Sequence, residues 1–309
     1  MEIWIIGNTY INPSKFDFSF AGIAIYEIES KKFLDYLQSL VQTKINTSDL
    51  LNSLNNENYH ESDKRYAVVK TNLDEAFDIE KFNDVLDVLR IIYPSNLSIY
   101  YEMSIDEEFQ IDPLAKEYNI DFDEYPTEYI EQKLEYVNDN IKEINEFLSL
   151  YFKNLNDSNN YIQRMIRRYI TSFSAQYIEF RFLVLCMALE STIPRGVKVT
   201  HRLRKSIAII CGDSKVSCDK IANYVNYIYN IRSNIIHGAP YSIDEINKNM
   251  ETLRSLVSRT IIELLDHGID TNEKLSLKIK ELGYGERNKI SKNYKNFKLN
   301  PSTYIPDII

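Results

Sequence analysis

The chain has 309 residues and a formal charge of −9. Hydrophobic residues make up 44% and charged residues 26%, with 8 Gly and 8 Pro, which excludes a collagen-like, low-complexity or disordered chain. The length fits about two domains at ~150 residues each, and no apolar run reaches the ~20 residues of a membrane span, so the expectation is a cytoplasmic protein with no membrane partner.

The first 122 residues mix short strands with helices. Runs at 4–8, 20–28, 66–70 and 97–103 are apolar and β-branched and are bounded by Asn, Gly and Ser, which reads as strands. Helical spacing occupies 31–43 and 79–92. In the second of these, Phe82, Val85, Leu86 and Leu89 recur at i, i+3, i+4, i+7. Residues 43–64, rich in Asn, Ser and Glu, read as a loop with room for one short helix. The expected class for 1–122 is α+β. The carboxylates between Asp106 and Glu124 follow no metal-ligand spacing and read as a solvated acidic linker.

From about Pro126 the pattern turns helical. Expected helices run from Thr127 to Asn154, from Tyr161 to Leu189 ahead of Pro194, and from Thr200 to Cys211 ahead of Gly212. A fourth opens at Ser217 or Cys218 and runs to His237, closed by Gly238 and Pro240. A fifth spans Ile243 to His267, with Ser242 and Glu245 in capping-box positions and Gly268 after it. Helices joined by short loops make a compact all-α bundle over 123–272. Residues 273–309 read as a weakly patterned basic tail, in which Lys289, Lys292, Lys295 and Lys298 recur every third residue beside Tyr294 and Phe297. Such a row can track an RNA backbone while rings stack on bases.

The charge is split. Residues 1–150 hold 12 Lys/Arg against 30 Asp/Glu, and the rest holds 24 against 15. A basic half points to a polyanion partner. The three cysteines include no CxxC pair, and the four histidines show no HExxH or HxH spacing, so neither a metal nor a cofactor is expected. There is no Walker A sequence and no GS-x10-DxD pattern, which counts against nucleotide chemistry.

Residues 224–240, YVNYIYNIRSNIIHGAP, concentrate the chemistry. On a helical wheel Ile221, Val225, Ile228, Ile231, Ile235 and Ile236 share an apolar face with Arg232 near its middle. A guanidinium there needs a partner, and Glu190 is the candidate. His237 lies about 140° from Arg232 on an ideal helix. An unwound last turn before Gly238, or two copies meeting across a two-fold axis, would bring the two side chains to one place. His237 also stands at a helix C-terminus, where the macrodipole favours a cation. A proton-exchanging His beside an Arg suits phosphodiester cleavage by an internal 2′-hydroxyl, with the Arg holding charge that develops on phosphorus.

Arg232-Ser-Asn-Ile-Ile-His237 fits the Arg-x4-His form of the motif in the HEPN superfamily of RNases. With Gly238, Tyr229 and Met187-Ala-Leu-Glu190, it resembles the ApeA-like branch of that superfamily, over roughly residues 125–270. The resemblance implies a four- or five-helix bundle that dimerises so that two motifs share a cleft. It implies RNA cleavage without metal, in toxin–antitoxin, abortive-infection or anti-phage systems, with an antitoxin or a phage-derived trigger as partner. It further implies Arg232 and His237 as catalytic residues, with Ser233, Asn234, Tyr229 and Glu190 in support. The second reading is a catalytically silent HEPN-type module that binds RNA or protein.

Overall fold

The computed structural model describes residues 2–7, 9–10, 16–18, 23–28, 66–71, 79–92, 94, 98–105, 111–112, 134–135, 141–155, 161–193 and 199–286. The segments expected as a helix at 31–43 and a loop at 43–64 lie outside these residues. So do the acidic stretch 106–124, apart from Ile111–Asp112, and the row Lys289, Lys292, Lys295, Lys298. The chain divides into two compact units, one of residues 1–89 with 95–146 and one of residues 90–94 with 147–309.

In the first unit the described backbone forms β1 (Glu2–Gly7), β2 (Thr9–Tyr10), β3 (Phe16–Phe18), β4 (Ile23–Ile28), β5 (Tyr66–Thr71), β6 (Ser98–Ile105), β7 (Ile111–Asp112) and β8 (Leu134–Glu135). Six of them pair antiparallel in the order β3-β4-β5-β1-β6-β7, with a register shift between Ile5 and Ile6 on β1. β2 and β8 form a separate parallel pair. Helix α1 (Ile79–Ile92) ends in the second unit.

The described part of the second unit is all-helical: the last turns of α1 and of α2 (Ile141–Leu155), then α3 (Tyr161–Ser174), α4 (Ile178–Glu190), α5 (Val199–Cys211), α6 (Lys215–His237), α7 (Ile243–Asp266) and α8 (Asn272–Leu282). None of the described helices is long and apolar enough to cross a membrane.

Four expectations need correction. The helix expected over Thr127–Asn154 begins only at Ile141, and Leu134–Glu135 is a strand. The helix expected over Tyr161–Leu189 is two helices with a break at 175–177. Its cause is a run of hydroxyls: Thr171 Oγ1 donates to Arg167 O at 2.8 Å, Ser172 Oγ to Tyr169 O at 2.6 Å and Ser174 Oγ to Thr171 O at 3.4 Å. Such back-bonding competes with the ladder, and Arg254 stabilises the freed end by donating to Ser172 O at 3.0 Å while lying 4.6 Å from the Phe173 ring centroid. Helix α6 opens at Lys215, earlier than expected, because Ser214 caps it and Ser217 is the reciprocal partner. Finally, the first part of the supposed tail is helix α8, with the Thr271 side chain accepting from Lys274 N.

Helix α4 is apolar on most of its circumference because it runs through the middle of the bundle. Phe182, Leu185, Cys186, Ala188 and Leu189 are fully buried, and the helix packs on α3, α6 and α7. Helices α5 and α6 form an antiparallel hairpin whose turn needs Gly212. A Cβ there would lie 2.5 Å from Cys218 Sγ and 2.6 Å from Ala208 O. This tight turn directs α6 back along α5 and sends its C-terminal half, with Arg232 and His237, past the start of α5. The capping box supports it, with Ser217 N donating to Ser214 Oγ at 3.2 Å and Ser214 N to Ser217 Oγ at 3.0 Å. Ser214→Ala should cost about 1 kcal/mol in stability. Denaturant midpoints of the two proteins check this, and an unchanged midpoint would remove the cap from the account.

Candidate functional site

The site grows from two helix ends. Helix α4 delivers Glu190 at its last residue, and α6 delivers Tyr229 and Arg232 one turn apart on the side that faces it. Arg232 Nη2 lies 3.0 Å from Glu190 Oε1, and each side chain is 25% exposed. The Tyr229 hydroxyl donates to the same carboxylate oxygen. The Arg232 guanidinium stands 5.7 Å from the Tyr229 ring centroid. Residues 39 and 42 positions apart in sequence thus share one carboxylate oxygen. Among the described residues, the buried Arg232 Nε has no hydrogen-bond partner and Nη2 is taken by Glu190, which leaves Nη1 as the atom for a ligand.

The electrostatics set the protonation of the neighbours. Burial, then the hydrogen bond and negative charge of Glu190, push the Tyr229 phenol well above its ordinary range, with Arg232 opposing. Tyr229 is therefore a neutral donor. The Cys186 thiol, fully buried beneath, is also raised well above its usual value, by burial first and Glu190 second. It stays a thiol and is no nucleophile. Cys211 and Cys218 are buried as well.

His237 is the last residue of α6, exposed, and has no side-chain partner among the described residues. Gly238 follows in the left-handed region at φ 67°, its N–H and that of Ala239 both donating to Asn234 O. The unwound last turn is corrected here: α6 stays helical through His237, and the reversal comes one residue later, at Gly238. Arg232 and His237 of one chain are consequently about 7.5 Å apart along the axis and about 140° apart around it. The structure brings Glu190, Tyr229 and Arg232 together and leaves His237 apart from them. Ser233 and Asn234 are half-buried between them, and neither has a side-chain partner among the described residues. The apolar face also ends sooner than expected: Ile235 is half-buried and Ile236 is 48% exposed, because α6 here runs beyond the core.

Sequence reasoning missed a further cation at this end. Arg168 of α3 reaches the last turn of α4, donating to Met187 O at 2.7 Å and to Ser191 Oγ at 2.5 Å. The only legible signal was the Arg-x-x-Arg-Arg run at 164–168, on a helix with no acidic residue.

No protein-family model matches this chain, and no curated protein and no solved structure matches it.

Proposed function

We propose that the chain is a metal-independent endoribonuclease of HEPN type, a toxin or anti-phage effector of the cytoplasm, with the acidic α+β first unit as a regulatory domain and the helices of the second unit as the catalytic bundle. The observation that carries this reading is the guanidinium of Arg232, held by Glu190 and Tyr229 on the helix that ends in an exposed His237. Such a holder fixes the fork through Nη2 and leaves Nη1 without a partner among the described residues. In a homodimer across a two-fold axis, His237 of one chain and Arg232 of the other come to one groove. Exposed Ile236, Tyr241 and Ile243 beside His237 supply apolar surface for that contact.

In the reaction, one His237 takes the proton of a ribose 2′-hydroxyl. The freed oxygen attacks the adjacent phosphorus, the bond to the 5′-oxygen breaks, and a second imidazolium protonates the leaving oxygen. The products are a 2′,3′-cyclic phosphate and a 5′-hydroxyl. Arg232 meets the charge that accumulates on the phosphoryl oxygens. Ser233 and Asn234 line the helix between the two groups and help orient the substrate. An antitoxin or phage-derived trigger is the partner expected for control.

Purified chain should cut single-stranded RNA in EDTA and leave DNA and 2′-O-methylated RNA intact, since neither offers the attacking hydroxyl. Cyclic phosphate ends on the fragments identify the route. Cleavage of the methylated RNA would overturn the mechanism. Tight binding without cleavage would favour the silent RNA-binding module. Sedimentation as a strict monomer at micromolar concentration would remove the shared groove.

A further inference from the structure

The surface on the other side of α4 from His237 carries an arrangement that the catalytic reading does not use. Helix α3 places Arg164, Arg167 and Arg168 within one ~100° arc of its circumference, the side turned away from its buried residues Met165, Ile166 and Tyr169. No acidic residue lies on that helix. Arg168 is anchored by two neutral acceptors at the end of α4, so its charge is fixed in place without being neutralised. Helix α4 itself, otherwise a core helix, exposes Phe180 (50%) and Met187 (37%), two turns apart and within about 20° of each other on the wheel. Glu190, which holds Arg232, lies about 60° from Met187 on one side of this stripe, and Ser191, which meets Arg168, lies on the other. The Met187 end of this strip therefore lies between Arg168 on α3 and the Glu190–Arg232 pair, with Arg164 and Arg167 on the same arc of α3 as Arg168.

We propose that this α3–α4 face is the docking surface for single-stranded RNA entering the site, an inference that rests on the ribonuclease reading above. Arg164, Arg167 and Arg168 hold successive phosphates, and bases lie on Phe180 and Met187 as the strand crosses α4 toward Arg232. Two features select a single strand. Exposed apolar side chains flanked by fixed cations match a chain that presents bases and phosphates together, as stacking platforms in electrostatic grooves do. A duplex hides its bases and leaves Phe180 nothing to meet.

The test uses the full chain with His237→Ala, which keeps the RNA intact, and reads its affinity for a fluorescent single-stranded RNA across a salt series. Arg167→Gln and Arg164→Gln alter exposed side chains, while Arg168 is left in place because it also secures the end of α4. Each should weaken binding at low salt and lower the slope of log K against log salt by about 0.7. Phe180→Ala should weaken binding about tenfold at every salt concentration, as loss of a stacked base does. Thermal melts confirm that the variants are folded. Unchanged affinity and slope in the arginine variants overturn the docking surface and leave the cleavage reading standing. A parent chain that shows these losses on substitution, while the wild type cuts no RNA, upholds the surface and overturns the cleavage reading. A Phe180→Ala chain that binds RNA like its parent but sediments as a smaller species gives the α4 face to a second copy and overturns the proposal.

Discussion

His237→Ala is expected to lower turnover on single-stranded RNA by roughly 10²–10⁴-fold, the range for losing a general acid or base. Its melting temperature should stay close to wild type. The geometry separates the two effects. His237 is exposed and has no side-chain hydrogen-bond or ion-pair partner among the described residues, so truncation leaves no buried group unpaired. Alanine also suits a last helical turn, and Gly238 still supplies the left-handed residue that ends α6. Single-turnover rates and thermal melts on one preparation measure both. A folded His237→Ala protein with wild-type turnover would falsify the catalytic assignment.

Arg232→Lys should lose about 10²–10³-fold, the cost of removing a fixed donor for the developing anion. The charge is kept in this variant, so the loss isolates geometry. The guanidinium spends Nη2 on Glu190, at 3.0 Å, and buries Nε, yet still presents an outer edge. A lysine has one head. Bound to Glu190, it has no second edge for a phosphoryl oxygen; turned outward, it leaves the carboxylate to Tyr229 alone. The pair is a quarter exposed, so solvent screens it, and stability should change by less than about 1 kcal/mol. Activity that falls only in proportion to the folded fraction would make Arg232 a structural residue.

Much of the helical half was readable from local signals. Gly212, Gly238 and Gly268 mark helix ends, and Ser242 accepts from Glu245 N, but only this half of the expected capping box forms, with Glu245 Oε1 accepting from the Tyr227 hydroxyl instead. The break at 175–177 was not readable from periodicity, because apolar residues continue at helical spacing on both sides of it. Its cause is hydroxyl back-bonding at Thr171, Ser172 and Ser174, which a hydrophobic pattern does not register. Of the site, Arg232 could be singled out because a charge on an apolar stripe demands an answer. That Tyr229 shares the same carboxylate is a tertiary fact set by the α4–α6 packing. Ile236 misled because a wheel gives direction and says nothing of where the core stops. Arg168 was hidden for a related reason: its acceptors are a backbone carbonyl and a serine, which carry no charge pattern.

The three cysteines, all buried and all unbridged, have a practical consequence. A native molecule should be silent to a thiol-specific chromogen, so uptake of label becomes a clock for transient opening. The three positions report on different places. Cys186 lies beneath the Glu190–Arg232 pair, whereas Cys211 and Cys218 flank the Gly212 turn at the far end of α6. Single-cysteine versions would time the loosening of each end separately. If the bundle opens as one unit, both clocks run at the same rate. If the site end breathes first, Cys186 reacts while the turn is still closed, and bound RNA should slow that clock more than the other.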